Sequence, residues 1–215
     1  LAESFNKMVS SLSRSEKDLI SAYDKTLEGW SKALELRDEE TQGHTQRVTQ
    51  LTLELARAMG MDEEKLINIR RGALLHDIGK IGVPDRILLK PGPLNKKERK
   101  IIEKHPVFAR EMLKRIEFLH SAMEIPSFHH ERWDGKGYPT GLVGQEIPIA
   151  ARIFAVIDVW DALTSDRPYR KAMAYEKAFA LIKNDSGTHF DPEVVTAFSK
   201  MIKKSLVNKK GRRTS

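Results

Sequence analysis

Apolar residues recur at helical spacing along almost the whole chain of 215 residues. No segment alternates apolar and polar residues over the length of a strand, and no Asn-Gly pair marks a hairpin turn. With 40% hydrophobic and 31% charged residues, the chain can bury one sizeable core. We therefore predict an all-α fold with one main globular domain and shorter appendages.

Local signals divide this helical pattern into segments. Asn95, with Glu98 three residues later, has the pattern of a capping box. Asp191 followed by Pro192 has the pattern of a helix start. We predict an irregular stretch over 79–95 and helices over about 38–59, from 62 onward, 95–105, 111–130, 148–164, 174–184 and 192–205.

The first residues of the chain carry apolar side chains at steps of three and four, which is the spacing of a coiled-coil seam. Ordinary packing against a core produces the same stripe, so the spacing alone leaves both interpretations open. The stripe consists of Leu1, Phe5, Met8, Leu12, Leu19 and Ala22.

Composition excludes several classes of protein. The absence of cysteine removes disulfides, thiolate metal sites and cysteine nucleophiles, so any metal must bind nitrogen and oxygen. The longest apolar stretch, Ile147–Trp160, is interrupted by two charged residues and is shorter than the roughly 20 residues of a membrane span. The net charge is +7, and removing the six lysines and arginines of 203–213 leaves +1. We interpret 206–215 as a flexible basic tail and predict no nucleic-acid polymer as a partner.

Five of the seven histidines stand near acids or helix ends. Glu40 and His44 are four residues apart and would share one face of a helix, although this spacing taken alone favours a chance surface pair. His76 and Asp77, in "LLHDIGK", follow an apolar helix end, where buried polar groups need partners. A histidine bonded by its own neighbour is the simpler alternative.

Asp158 lies inside the apolar stretch "ARIFAVIDVWDAL". A buried carboxylate there costs several kcal/mol unless a cation compensates, and a divalent metal would do so; a cap or salt bridge is the alternative. Nitrogen and oxygen donors in this number suit two or three divalent ions, with iron or manganese favoured and zinc left open. Adjacent histidines on a helix point about 100° apart and so can reach different ions. The candidate ligands are Glu40, His44, His76, Asp77, His105, His129, His130 and Asp158.

Several motifs in order resemble the HD-GYP domain, a subfamily of the HD metal-dependent phosphohydrolases, over about residues 34–200. They are "LLHDIGKIGVPDRILLKPGPL", "HHERWDGKGYPTGL", "IDVWDALTSDRPYR" and "GTHFDPEVV". The resemblance implies an HD-type helical bundle, a metal cluster held by these ligands with Asp77 as a bridge, and cyclic di-GMP phosphodiesterase activity. Glu40 occupies a position where only some members carry a carboxylate for a third metal, so the number of ions stays open.

Cations are needed around the phosphate of such a substrate. Lys80, Arg167 and Arg170 are suited to bind phosphate oxygens, and the similar positions in the family do so. Tyr138, in the Gly-Tyr-Pro turn, would contribute a stacking face or a hydroxyl. The two arginines could instead pair with Asp161 or Asp166 at the surface, and the turn alone could be a plain surface turn. We expect Asp77 and Lys80 to carry catalysis.

A second resemblance covers the first residues, where "LAESFNKMVSSL" and "SRSEKDL" look like the end of a HAMP signalling module and its connector. It implies a signalling helix over 1–33, a catalytic domain over 34–205, a parallel homodimer, and the cytoplasmic output end of a membrane-anchored receptor that contacts other signalling proteins. A receptor that binds the dinucleotide without cleaving it is the alternative function. An HD-type nucleotide triphosphohydrolase would leave the Gly-Tyr-Pro loop unexplained.

Overall fold

The computed structural model describes residues 1–38, 43–166 and 170–211, with the backbone alone for 204–211. These ranges contain ten α-helices and no β-sheet, which confirms the predicted all-α class. The helices are α1 (Ala2–Asp38), α2 (His44–Ala58), α3 (Glu63–Leu74), α4 (Asp85–Leu88), α5 (Lys96–Ile102), α6 (His105–Leu113), α7 (Glu124–Phe128), α8 (Ile149–Thr164), α9 (Tyr175–Asn184) and α10 (Pro192–Gly211).

The predicted helix starts agree with the caps that form. Asn95 accepts hydrogen bonds from the backbone amides of Lys97 and Glu98, at 2.9 and 3.0 Å, and the Glu98 carboxylate accepts from the Asn95 amide at 2.8 Å. Asp191 accepts from the backbone amide of Glu193 at 2.7 Å and so opens α10. This last helix continues to Gly211, beyond its predicted end at 205.

Two predicted helices are wrong in part. The helix predicted over 38–59 begins only at His44, because Gly43 has the left-handed φ of +73° and interrupts the helical path. The argument that placed Glu40 and His44 on one helix face therefore fails, and Glu40 itself lies outside the described residues. The helix predicted over 111–130 is broken at Ile116, whose extended backbone separates α6 from a 3-10 helix over Glu117–Ala122 and from α7.

Helix α8 occupies the centre of the domain. Its residues Ile153, Phe154, Val156 and Ile157 are fully buried. They belong to a core to which α2, α3, α7, α9 and α10 also contribute apolar residues. Any polar side chain on α8 that faces this core must therefore find its partner inside the protein.

Helix α1 attaches to the domain by its C-terminal half only. Leu27 and Leu34 are buried, and Leu27 joins a second apolar cluster with residues of α6 and of the 3-10 helix Ile78–Gly82. The six residues of the N-terminal stripe are exposed and add nothing to the core of this chain. The helix crosses the predicted boundary at residues 33 and 34 without a break. Within the described ranges, no helix combines the length and the apolar character needed to cross a membrane.

Candidate metal centre

Seven of the eight predicted ligands converge in the structure. Their donor atoms form two groups, in each of which all atoms lie within 4.8 Å of one another. Asp77 connects the groups, because its Oδ2 lies 3.1 Å from His76 Nε2 while its Oδ1 lies 3.3 Å from His105 Nε2. The first group is His44, His76 and Asp158, and the second is Asp77, His105, His129 and His130.

The ligands come from the ends of separate elements that meet around α8. His44 begins α2, and His105 begins α6. Gly79, in the 3-10 helix after Asp77, allows this meeting, because a Cβ at that position would collide with the carbonyl oxygen of His105 and lie 2.6 Å from the Ala109 amide nitrogen. The close approach of two backbones thus places Asp77 beside His105.

Backbone carbonyls hold three of the imidazoles in one tautomer. A carbonyl oxygen can only accept a hydrogen bond, so the Nδ1 atom that contacts it must carry the proton, and Nε2 keeps its lone pair. Metal-binding histidines in proteins are oriented in this way. The pairs are His76 Nδ1 with Ala73 O at 2.8 Å, His105 Nδ1 with Ile102 O at 2.8 Å, and His129 Nδ1 with Ile125 O at 2.9 Å.

Asp161 performs the same task for His44, a role that sequence analysis missed. Its Oδ2 accepts from His44 Nδ1 at 2.7 Å, and Arg47 donates to both carboxylate oxygens at 2.8 and 3.0 Å. His44 Nε2 then faces Asp158 Oδ1 at 3.4 Å. Although burial opposes it, hydrogen bonding to His44 and Arg47 holds the pKa of Asp161 well below its usual range. Among the described residues, the arginine that pairs with Asp161 is Arg47 and not Arg170, whereas the predicted alternative with Arg167 lies outside the described residues.

The donor set fits divalent cations. His105 Nε2 and His129 Nε2 are 3.3 Å apart, and both carry lone pairs when Nδ1 holds the proton. Two lone pairs at this distance repel unless a cation lies beside them, and Asp77 Oδ1 stands 3.3 and 3.9 Å from the same two nitrogens. Imidazoles and carboxylates in combination suit iron, manganese or zinc.

Electrostatics prepares most of the imidazoles for metal binding. Burial lowers the pKa of His129 well below its ordinary value, and the neighbouring His130 and His105 add to the effect. Burial, reinforced by His105, lowers the pKa of His130 to about 4, and burial also lowers the pKa of His105. These side chains are neutral near pH 7, as ligands must be. His76 differs, because Asp77 outweighs burial and raises its pKa.

The carboxylates of the centre are ionised. Burial would raise the pKa of Asp77, but Lys80 and His76 hold it well below the usual range. For Asp158, hydrogen bonding to His44 likewise outweighs burial and lowers the pKa. The centre therefore offers two anionic oxygen ligands at neutral pH.

The structure describes three of the four residues that were predicted to bind the substrate. Lys80 lies at the centre, with Nζ 2.7 Å from Asp77 Oδ2. Tyr138 stacks on His130 with ring centroids 4.7 Å apart. Arg170 is exposed and donates to the carbonyl of Ala162, one turn beyond Asp158 on α8. Arg167 lies outside the described residues.

Glu131 shapes the Gly-Tyr-Pro loop and is a second residue whose role sequence analysis missed. Its buried carboxylate accepts from the amide and hydroxyl of Thr140, both at 2.7 Å, and from the amides of Gly141 and Leu142. Gly137 is required below it, since a Cβ there would lie 2.5 Å from Glu131 Cα. The loop is thus tied to the residue that follows His130 and is more than a plain surface turn.

Comparisons with known sequences agree on one family. A family profile described as "HD domain" matches residues 29–194. A "Cyclic di-GMP phosphodiesterase" of Thermotoga maritima is 43% identical over 207 residues, which are 94% of this chain and 56% of that protein. The "Cyclic di-GMP phosphodiesterase response regulator RpfG" of Xanthomonas campestris is 42% identical over 80% of this chain and 46% of its own length. A "3'3'-cGAMP-specific phosphodiesterase 3" of Vibrio cholerae is 37% identical over 80% of this chain and 38% of its own length. The chain thus spans about half the length of the curated relatives that it matches.

Solved structures share the fold. A cyclic GMP-AMP specific phosphodiesterase of V. cholerae matches with a TM-score of 0.64 at 18% identity, over 83% of this chain and 48% of that one. The HD domain of the Listeria monocytogenes phosphodiesterase PgpH matches with a TM-score of 0.58 at 17% identity, over 84% of this chain and 98% of that one. At these identities the likeness concerns the helical architecture alone.

Proposed function

The chain belongs to the HD domain family, and from this premise we propose that it is a metal-dependent phosphodiesterase that hydrolyses cyclic di-GMP. One observation carries the proposal: seven candidate ligand side chains, Asp77 among them, meet in two adjoining groups, with the ammonium of Lys80 beside Asp77. The relatives named cyclic di-GMP phosphodiesterases support the choice of substrate. The product would be linear pGpG, with further cleavage to GMP as a second step.

In this proposal the two groups of candidate ligands would hold two divalent ions, iron or manganese by preference, with Asp77 between the groups. Glu40 would add a carboxylate for a third ion. When bound, such ions supply Lewis acidity at the phosphate and make water acidic enough to react near neutral pH. The residues Asp161 and Arg47 keep His44 in the orientation that this binding needs.

The chain's own cations and rings would bind the substrate. Lys80 places one positive charge beside Asp77, where it can bind an oxygen of the scissile phosphate and balance charge as a water oxygen attacks phosphorus. Tyr138 offers a ring for a guanine base, and Arg167 and Arg170 are proposed to bind phosphate oxygens. The bond between phosphorus and the 3′ oxygen then breaks, and that oxygen takes up a proton in place of the one that the attacking water releases.

The test is turnover of cyclic di-GMP by protein loaded with Fe²⁺ or Mn²⁺, followed by separation of the products and by metal analysis of the same samples. We expect Asp77→Ala and His129→Ala to lose both metal and activity. His120→Ala is the matched control, because His120 is exposed and bonds only to the carbonyl of Lys114 among the contacts described. Undiminished hydrolysis in Asp77→Ala would refute the mechanism.

The same assay separates the alternatives. Binding of cyclic di-GMP by the loaded protein without turnover would indicate a receptor. Cleavage of 3′3′-cGAMP in preference to cyclic di-GMP would place the chain with the relatives named for that substrate. Release of triphosphate from nucleotides would indicate an HD-type nucleotide triphosphohydrolase.

We also propose that the exposed stripe on α1 pairs two copies of the chain in parallel. Phe5, Met8 and Leu12 are 58, 62 and 70% exposed, which is unusual for three large apolar residues on one helix face. Sedimentation of the intact chain is expected to show a dimer, and Leu12→Glu is expected to weaken it. A strict monomer would contradict the proposal. Attachment to a HAMP module, a membrane-anchored parent protein and contact with other signalling proteins remain proposals of the same kind.

A further inference from the structure

The end of helix α1 reaches into the metal centre. Asp38 is the last residue of the helix, and its side chain is only 3% exposed. Its Oδ2 lies 3.0 Å from Lys80 Nζ, and the same ammonium lies 2.7 Å from Asp77 Oδ2. The lysine is therefore held between a carboxylate of α1 and a candidate metal ligand.

Arg37 ties the backbone around this lysine to the same helix end. Its guanidinium donates to the carbonyl oxygens of Lys80 and Val83, at 3.1 and 2.8 Å, and to the Asp85 carboxylate at 2.7 Å. The two final residues of α1 thus hold both the main chain and the ammonium of Lys80.

The C-terminal half of α1 is also attached to the domain about three to four turns before Asp38. Asp24 accepts from Arg71 on α3 at 2.8 Å, and the Arg71 guanidinium lies 4.1 Å above the ring of Phe118. Glu28 accepts from Arg70 at 2.5 Å. These contacts attach the C-terminal half of α1 to the domain, and Asp38 is the last residue of this attached segment.

We propose that Asp38 is a positioning residue that acts through Lys80, so that the end of α1 determines where the lysine's charge stands relative to the metal centre. A lysine side chain is flexible and binds as a point charge, so a second acceptor is needed to define its position. Replacing Asp38 removes one carboxylate that fixes the ammonium and leaves its contact with Asp77 in place. The proposal rests on the function proposed above, because Lys80 is assigned there to the scissile phosphate.

The first test uses metal-free protein and needs no activity. Trace acetylation with acetic anhydride, read by mass spectrometry, measures how accessible each lysine is. We expect Lys80 to react severalfold faster in Asp38→Asn than in the wild-type protein, while Lys90, which is paired with Glu98 at 2.6 Å, keeps its rate. Equal labelling of Lys80 in both proteins would overturn the proposal.

The second test is a double-mutant cycle on metal-loaded protein. Asp38→Asn is expected to lower kcat on the order of tenfold, as for loss of one charge-assisted hydrogen bond at the reacting phosphate, with no change in metal per chain. In a Lys80→Ala background the same substitution should change kcat no further. Asp18→Asn, an exposed acid on the same helix, is the control and should match the wild-type protein.

The outcomes are distinct. An equal fall of kcat in both backgrounds would refute positioning through Lys80, and a parallel loss of metal would assign Asp38 to the ions instead. If the wild-type protein hydrolysed no cyclic dinucleotide, the proposed function would fail, whereas the labelling result would still decide whether Asp38 holds the lysine.

Discussion

Substitution of Asp161 by alanine isolates the contribution of a residue that supports a ligand without being one. The change removes an acceptor that receives His44 Nδ1 at 2.7 Å, two donors of Arg47 and the hydroxyl of Ser165. Arg47, whose side chain is 39% exposed, can return to water. The buried N–H of His44 cannot, and leaving such a donor without an acceptor costs about 1–3 kcal/mol.

We expect this free-energy cost to appear as weaker metal binding. In the variant, His44 avoids the unsatisfied N–H by turning its ring or by moving its proton to Nε2. Both changes withdraw the lone pair that faces Asp158 at 3.4 Å. We expect the affinity for the ion nearest His44 to fall about 10–100-fold, the range found when a partner of this kind is removed. Competition with a chromogenic chelator for Mn²⁺ measures the change directly.

The matched control is Asp191→Ala. Asp191 is also a buried aspartate paired with an arginine, at 2.6 Å from Arg152 Nη1, and it caps α10. Its loss should lower thermal stability and leave the metal affinity of the folded protein unchanged. The reasoning would be refuted if Asp161→Ala lowered stability to a similar extent and still bound Mn²⁺ as tightly as the wild-type protein.

Three further predictions concern packing, the loop and pH. Gly79→Ala should unfold the domain or lower its stability by several kcal/mol, because the added Cβ overlaps backbone atoms and no change of rotamer relieves the overlap. Gly29→Ala is the control on α1, where a Cβ meets nothing within 4 Å, and it should raise the stability measured by thermal unfolding by up to about 1 kcal/mol. Glu131→Gln places an amide group among backbone donors, so KM for cyclic di-GMP should rise about tenfold with metal content unchanged. The pKa of His130 is lowered to about 4, so between pH 4 and 6.5 the unfolded chain binds the proton and the folded chain does not. Stability of the metal-free protein should therefore fall on acidification through this window, by up to about 1.4 kcal/mol per pH unit for this group, and His130→Gln should reduce the slope of thermal stability against pH.

The fold class and the side chains that converge as candidate ligands could be predicted because each leaves a signal in the local sequence. Asp158 is conspicuous as an acid in an apolar helix, and His76 with Asp77 as a polar pair after one. The breaks at Gly43 and Ile116 leave no comparable mark, since glycine and isoleucine also occur inside helices and tertiary packing decides their backbone angles.

The supporting residues were missed for a related reason. Asp161 is 117 residues from His44, and the sequence near either residue does not indicate that the two side chains pair. Glu131 acts on a loop only 9 to 11 residues away, but a glutamate between a histidine pair and a turn is equally compatible with an exposed side chain. The role of such a residue depends on which groups it contacts, and only the folded structure shows those contacts.

The three imidazoles held by backbone carbonyls show where this limit lies. The acceptors belong to residues three or four positions earlier in the chain, in the last turns of α3, α5 and α7. Carbonyl oxygens near a helix end have lone pairs that the helix itself does not fully use, so an imidazole N–H shortly after the helix end can bond to one of them. The same bond holds the proton on Nδ1 and leaves Nε2 available for a cation. A histidine shortly after a helix end can therefore bond to a carbonyl of that helix and keep Nε2 available for a cation through a contact that is local in the sequence. The imidazole of His44 differs from these three, because its Nδ1 bonds to Asp161, a carboxylate 117 residues away in the sequence.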